Sequence, residues 1–579
     1  MSVDRNPAWE ATHSPRESFG QARGGPDDQP DFAPAAALAL LIPNPDGRRS
    51  LVIGSDQEAI VRSIAFLGGT AIACDPSSTE ATSVAPQPKR SRFLGAELTL
   101  PFRSGSFDTI VINRVLEWIG STSTGSAVRA QRTLLRECRR ILKPGGTLLV
   151  GAANRFSRER LRQQWPDPVT GGRYLGTLPL PLANLISHAR HGRPYDFRSY
   201  SLHGWISLLD KEGFVFADTR RYWPAERASK ELGFGESLNQ AFEWLHPLLR
   251  CGSIRVKVSR FIRQPGIKRL IAPAYLLSAS KPAEPGDEPV PPSVLSRIAE
   301  KEEVGEQLTS LTLRVRRSSE TVSFVSGSSF VKIPLTASAR DRVCWEAQAH
   351  TRLKDRPVSR LMLNPVQFKG VAGLSYITYP AMTLRLTPRS ADDLRRHYHL
   401  LLVALGEDAS AVRLQDTEFW ELVFAPEIVK ELCGLGAGAV LDRLEASANR
   451  SVPSGVVHGD MARNNLMVTT EGMRVIDWDR WEDPSPHFID VVAASFSIGR
   501  AQGLWGQHDR VTQVRLVAAS DPRVPFLERL KWAAGELSLA EALAFRMLSR
   551  ATRQRLYHPE NRGFDAGLRE YFEVCATVI

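Results

Sequence analysis

The stretch Val456-Val457-His458-Gly459-Asp460-Met461-Ala462-Arg463-Asn464-Asn465-Leu466-Met467, followed by Met473-Arg474-Val475-Ile476-Asp477-Trp478-Asp479, decides how the C-terminal half of the chain is read. An aspartate, an asparagine five residues on and a second aspartate closing a β-rich run supply what phosphoryl transfer needs: a carboxylate to take a hydroxyl proton and two oxygen ligands for Mg2+. Upstream, the runs Leu311–Val315, Thr321–Val325 and Ser329–Ile333 alternate as antiparallel strands, with Gly327 marking a turn. Lys332 lies in the last of these runs, and Glu346 follows on a helical segment from Ala337. The pair reads either as a phosphate-holding lysine oriented by a helix glutamate or as a structural ion pair.

Together these elements resemble the aminoglycoside phosphotransferase and choline kinase-like family, whose His-Gly-Asp-x-x-x-x-Asn and Ile-Asp-Trp elements stand at His458–Asn465 and Ile476–Trp478. The resemblance covers 300–579 and implies an α+β protein-kinase-like domain. It implies that Asp460 accepts the proton of the attacking hydroxyl and that Asn465 and Asp477 ligate Mg2+. It implies also that Lys332 holds ATP phosphates with Glu346 orienting it, and that Tyr379 and Ala381, in Tyr379-Pro380-Ala381-Met382, meet the adenine at the lobe hinge. His458 reads as a brace for its loop in preference to a base, and Asp490 as a cap on backbone amides, an ordinary helix N-cap, or both. The phosphate-covering loop, Ser326-Gly327-Ser328-Ser329, is short and has one glycine. Trp505, Trp532, Phe545 and Tyr557 either wall an acceptor or pack a core.

Toward the N-terminus, the runs Ser50–Ile53, Thr70–Cys74, Phe107–Ile112 and Thr147–Gly151 alternate with helical patterns, as buried parallel strands of a doubly wound sheet do. Phe214–Ala217 and Tyr275–Ser278 are expected to close the sheet. A strand followed by Gly54 and a helix, then a strand ending in Asp75, places a cofactor over the strand ends with the acid on ribose hydroxyls; the alternative for Asp75 is a turn cap. Leu-Pro-Phe-Arg-Ser-Gly-Ser-Phe-Asp-Thr-Ile-Val-Ile-Asn-Arg-Val-Leu-Glu-Trp-Ile at 100–119 and Arg-Ile-Leu-Lys-Pro-Gly-Gly-Thr-Leu at 140–148 resemble the class I S-adenosylmethionine-dependent methyltransferases, over 36–280. That resemblance implies an α/β Rossmann-like domain with S-adenosylmethionine held by Gly54, Asp75 and, where Ala96 stands in place of an acid, Glu97. The loop Gly54-Ser55-Asp56-Gln57-Glu58 keeps one glycine, so Asp56 and Glu58 either crowd the methionine moiety or hold its ammonium.

The connection Asn154–Arg198 carries eight Arg against Glu159, Asp167 and Asp196, with Tyr174, Tyr195 and Phe197 interleaved among Arg173, Arg193 and Arg198. It reads either as a grip on an anionic or glycosylated acceptor or as a solvated flap. Residues 1–33 are expected to form a disordered leader, 34–280 the first domain, the Pro- and acid-rich 281–299 a linker, and 300–579 the second domain.

Composition bounds the partners. Hydrophobic residues at 42% and charged residues at 24% of 579 describe a folded chain and exclude disordered and collagenous classes. The net charge of +11 comes from 74 basic residues of which 13 are Lys, an Arg-heavy excess that does not by itself call for nucleic acid. Six cysteines without a C-x-x-C pair fit reduced thiols and a cytoplasmic location, not a zinc site. The apolar run Ala35–Ile42 is too short to span a bilayer, so no transmembrane segment is expected. The expectation is a bifunctional methyltransferase and small-molecule kinase that uses ATP, Mg2+ and S-adenosylmethionine on hydroxyls of a sugar, glycolipid or glycosylated metabolite. Its rivals are a kinase whose methyltransferase-like half only binds a ligand, and a nucleic-acid modifier.

Overall fold

The computed structural model describes residues 34–54, 56–75, 90–92, 99–117, 119, 126–157, 175–192, 195, 197–222, 231–234, 272, 274–286, 290–302, 313–316, 320–326, 329–363, 367–371, 373–380, 390–469, 472–506, 509–557 and 565–579. The expectations for 1–33, Glu97, Arg173, Arg193 and Ala381 lie outside the described residues, as does the side chain of Asp75. By contact the chain divides into two compact units, one of Phe32–Ala339 with Lys369–Tyr376, the other containing Arg340–Phe368 and Ile377–Ile579.

The first unit is built on strands β1 (Arg49–Gly54), β2 (Thr70–Asp75), β3 (Arg90–Arg92), β4 (Phe107–Asn113) and β5 (Leu142–Ala153), all parallel, in the order β3-β2-β1-β4-β5. Leu51-Val52-Ile53 and Ile110-Val111-Ile112 are apolar without alternation because both faces of these strands are covered. Helix α1 (Gln57–Phe66) follows β1, and α2 (Ala127–Ile141) precedes β5. Helix α2 buries Ala130, Leu134, Leu135, Cys138 and Ile141, one stripe at helical spacing. Helix α3 (Leu202–Lys211), whose first turn is capped by the Ser201 hydroxyl, leads into β6 (Val215–Tyr222). Strand β8 (Ala274–Ser280) lies antiparallel between β5 and β6, so the two late strands join the sheet but do not close it as expected.

The sheet does not end there. A short strand β7 (Glu231–Phe234) pairs antiparallel with β6 on one side and with β9 (Leu313–Arg316) on the other. Strands β10 (Thr321–Ser326) and β11 (Ser329–Pro334) continue it, again antiparallel. One core joins the apolar 3-10 helix Pro34–Leu41, Val52, Ile60 and Ile64 to Val322, Phe324, Val331 and Ile333. The Ser63 hydroxyl donates to the Leu335 carbonyl at 3.1 Å.

Part of the expected linker belongs to this core. Residues 281–286 lack regular structure apart from a turn, but α4 (Val294–Lys301), capped by Ser293, buries Val294, Leu295, Ile298 and Ala299 on one face. Just past it Glu302 accepts from the Tyr376 hydroxyl at 2.7 Å and from Lys369 at 2.9 Å. By contact the units divide between Ala339 and Arg340, and the apolar face of α4 is buried within the first of them.

The second unit holds most of α5 (Ala337–Arg352), the ends of β12 (Gln367–Val371) and β13 (Leu374–Pro380) that adjoin it, α6 (Ala391–Gly406) and the three-stranded sheet of β14 (Ser410–Arg413), β15 (Ser451–Val457) and β18 (Glu482–Pro486). Between β15 and β18 stands the hairpin of β16 (Leu466–Thr469) and β17 (Gly472–Val475). Helices α7 (Phe488–Ala501), α8 (Leu539–Tyr557) and α9 (Asp565–Ala576) pack around a core containing Tyr398, Val456, Trp478, Phe488, Leu548 and Phe572. Trp505 and Phe545 belong to that core, which decides their reading in favour of packing, while Trp532 is partly exposed beneath the Arg529 guanidinium at 4.0 Å. Among the described residues no helix is long and apolar enough to cross a membrane, and the five described cysteines form no disulfide.

Candidate functional site

The second unit assembles its site where β15 ends. Val456 and Val457 are buried in the sheet, and the chain leaves it at His458-Gly459-Asp460. Gly459 has φ +79, and a Cβ there would lie 2.2 Å from the Arg480 carbonyl oxygen and 2.9 Å from the Arg553 guanidinium carbon. Only glycine fits that turn. The Asp490 carboxylate accepts the amide N–H groups of His458 at 2.5 Å and Gly459 at 3.0 Å. Burial pushes the Asp490 carboxyl above its ordinary range, opposed by His458, Arg553 and these two amides. The Asp490 carboxylate thus caps the loop of Asp460, and His487, without a side-chain cap bond, holds the N-cap position of α7.

His458 is fully buried, as a brace must be. Its Nδ1 accepts the Asp460 N–H at 3.2 Å and its Nε2 meets the Ile476 carbonyl at 3.0 Å, so the proton belongs on Nε2. Both ring nitrogens are thereby engaged with backbone, and the ring packs 4.6 Å from that of Trp478. The Tyr398 hydroxyl, donating to the Met461 carbonyl at 2.9 Å, fixes the other side of the loop.

The β16–β17 hairpin brings the remaining residues to Asp460. Leu466 pairs with Val475, and the Ile476 N–H donates to the Asn465 carbonyl at 3.0 Å, so Asn465 and Asp477 flank the open end of one hairpin. Asn465 Nδ2 donates to the Asp460 carbonyl at 2.9 Å. Asp477 has φ +61, a left-handed conformation uncommon for a non-glycine residue and concentrated at functional sites. The Asp460 side chain is 36% exposed, with Arg480 Nη1 at 3.6 Å.

Of the residues assigned to the nucleotide, Lys332 is buried on β11 opposite Ser323. Glu346 is buried on α5, and the Tyr379 hydroxyl donates to its Oε1. Burial, then Glu346, Asp477 and Asp479, hold the Tyr379 phenol well above its ordinary range. Tyr379 thus serves the interior carboxylate with its hydroxyl, a partner that spacing alone did not suggest. Arg480, Tyr398 and Arg553 at the Asp460 loop were also missed. The one available signal was the i, i+4, i+7 spacing of Arg546, Arg550 and Arg553 on a helical stretch.

At the strand ends of the first unit, Gly54 has φ +109, and a Cβ on it would lie 2.2 Å from the Asn113 carbonyl oxygen. Asp56, with φ 56 and no side-chain cap bond, stands at the N-cap of α1, and Glu58 lies in its first turn. The buried Glu117 carboxylate accepts the Ala153 N–H, tying the ends of β4 and β5. Arg198 is held by its backbone: its N–H donates to the Glu117 carbonyl at 2.9 Å and its carbonyl accepts from Gln131 Nε2 at 2.8 Å. Its guanidinium lies 5.0 Å from the centre of the Tyr200 ring.

Comparison with known proteins accords with this division of chemistry. Residues 51–150 match the methyltransferase domain family, and residues 313–503 match the phosphotransferase enzyme family. Among curated proteins none matches the chain. Similar solved structures include an S-adenosylmethionine-dependent methyltransferase from Mesorhizobium loti, at 16% identity over 43% of this chain and 98% of that one, with a TM-score of 0.25. Another, from Methanosarcina mazei, is 15% identical over 44% of this chain and 100% of that one, with a TM-score of 0.26. A third, from Archaeoglobus fulgidus, is 15% identical over 41% and 89%, with a TM-score of 0.26. The chain carries a methyltransferase domain followed by a domain of the phosphotransferase enzyme family, and is an enzyme of the transferase class.

Proposed function

We propose that the second domain transfers the γ-phosphoryl group of Mg-ATP to a hydroxyl of a small-molecule or glycan acceptor, with Asp460 as base. The observation that carries this reading is the hairpin register that sets Asn465 and Asp477 beside the braced loop of Asp460. An amide oxygen and a carboxylate form a hard, oxygen-only donor set, which fits Mg2+. The ion would neutralise charge on the nucleotide phosphates. The acceptor oxygen attacks the γ-phosphorus, the bond to the bridging β–γ oxygen breaks, the hydroxyl proton passes to the Asp460 carboxylate, and ADP leaves. Lys332 is assigned to the phosphates, Glu346 to orienting it, and Tyr379 and Ala381 to the adenine.

The first domain is assigned methyl transfer from S-adenosylmethionine, with Gly54, Asp75 and Glu97 toward the cofactor and Arg173, Arg193 and Arg198 toward the acceptor. Asp56 and Glu58 at the amino end of α1 fit the ammonium of an amino-acid-bearing cofactor. A hydroxyl-rich acceptor such as a sugar, a glycolipid or a glycosylated metabolite would serve both chemistries, in a cytoplasmic setting that supplies both co-substrates. A second reading, a domain that binds a ligand without transferring methyl groups, is favoured by Gly54: packing against the Asn113 carbonyl already requires a glycine there, cofactor or not.

Asp460→Asn tests the phosphotransfer reading. ATP and Mg2+ binding should persist while transfer falls about 10²-fold or more; full transfer in the variant would remove Asp460 from the chemistry. Calorimetry with S-adenosylmethionine separates the two readings of the first domain, since absence of binding leaves only the second.

A further inference from the structure

Arg546, Arg550 and Arg553 stand at i, i+4 and i+7 of α8, on one helix face. Arg553 shows what that face meets. Its Nη1 donates to the Gly459 carbonyl at 2.9 Å, and its Nε and Nη2 hold the buried Glu482 carboxylate at 3.0 and 2.5 Å. The face therefore lies against the loop that bears Asp460.

Arg550 is exposed, but Arg546, one turn toward the N-terminus, is 9% exposed, and its Nε and Nη1 are buried without a hydrogen-bond partner. The charges that act on it are Arg553 and Arg550, which repel, and Asp490 and Asp460, which attract. Each of those carboxylates is engaged elsewhere, Asp490 with two loop amides and Asp460 with Arg480. Burial lowers the Arg546 pKa to about 9. A buried guanidinium with two unpaired N–H donors is costly unless an anion completes it. Its planar fork suits carboxylate or phosphate oxygens.

We infer that Arg546 binds an anionic group of the phosphoryl acceptor, so that the acceptor is a hydroxyl compound carrying a phosphate or a carboxylate, not an amine. This rests on the phosphotransfer reading of the same site. A cationic acceptor would meet Arg546, Arg553 and Arg480 beside Asp460, and like charges there would repel it. An anion on Arg546 instead offsets the repulsion from Asp460 and anchors the molecule close to the base, which orients its hydroxyl.

The test uses the full chain. With the nucleotide site filled by Mg2+ and a non-hydrolysable ATP analogue, inorganic phosphate is titrated by calorimetry into the parent, Arg546→Gln and Arg546→Lys. The expected result is phosphate binding in the parent, a tenfold or greater loss in Arg546→Gln and a smaller loss in Arg546→Lys, with analogue affinity unchanged in all three. Phosphate affinity unchanged in Arg546→Gln with the analogue still bound would overturn the inference. Failure of the parent to bind the analogue would instead sink the phosphotransfer reading, and phosphate titrated alone would still report on Arg546. A second assay follows ADP release with sugar phosphates, uronic acids, neutral sugars and amino sugars. Turnover confined to sugar phosphates or to uronic acids identifies the anion as phosphate or carboxylate, with the apparent KM raised tenfold or more in Arg546→Gln. Turnover of neutral or amino sugars as fast as of the anionic ones, insensitive to Arg546→Gln, overturns it.

Discussion

Asp490 Oδ2 accepts the backbone N–H of His458 at 2.5 Å, across 32 residues of sequence. With the second bond to Gly459, one buried carboxylate fixes the two residues before Asp460. Asp490→Ala would leave both amides without that acceptor and should destabilise the protein by about 2–4 kcal/mol. Asp490→Asn, which keeps one acceptor oxygen, should lose less. Urea unfolding of the three proteins measures this; a loss within error of zero for the alanine variant would mean the loop is held by other contacts.

The hydroxyl of Tyr379 should matter through Glu346. Tyr379→Phe keeps the ring in its buried place but removes a donor from a buried carboxylate, a change of about 1–3 kcal/mol in stability. If Glu346 orients Lys332, the apparent KM for ATP should rise as well, while acceptor affinity stays. Steady-state kinetics with each substrate varied separates the two effects.

His487 makes stability depend on acid. Burial, reinforced by Arg529, lowers its pKa from 6.5 to about 4. The unfolded chain therefore takes up a proton that the folded one resists, so stability is full above about pH 6.5 and lost as pH falls toward 4. The loss at pH 4.5 should be about 2–3 kcal/mol. In His487→Phe the difference between pH 7 and pH 4.5 should shrink by that amount, whatever its stability at pH 7. An unchanged difference would assign the acid sensitivity to carboxylates.

Gly54→Ala combines an unfavourable φ of +109 with an overlap against the Asn113 carbonyl. The backbone term alone should cost about 1–3 kcal/mol. Unfolding of the variant reads that term, and S-adenosylmethionine titration of the same variant asks whether the turn also faces a cofactor. Stability equal to the parent would mean the close approach of Gly54 to Asn113 is not kept in solution.

A chain begun at residue 293 retains both phosphotransferase lobes but lacks the Ala35–Leu40 segment that covers Val322, Phe324, Val331 and Ile333. It should expose an apolar face, bind a hydrophobic dye and aggregate, whereas the full chain should not. A monomeric, cooperatively folding fragment would show the linker reading of 281–299 to be sufficient after all.

What the sequence determined by itself is local structure. That Asn465 stands beside Asp460 and next to the Ile476-Asp477 step was legible because the hairpin between Asn465 and Asp477 is encoded within a dozen residues. The strands Leu51–Ile53 and Ile110–Ile112 were legible because unbroken apolar runs between turns have few other solutions. The tertiary structure alone decided the rest. That Asp490 clamps His458, that Tyr379 serves Glu346, that two buried nitrogens of Arg546 lack a hydrogen-bond partner, and that strands on both sides of the proline-rich stretch share one core are outcomes of packing between segments distant in sequence. Hydrogen-bond and charge partners are chosen by proximity in space, and a one-dimensional pattern records which groups a residue offers but not which neighbour will take them.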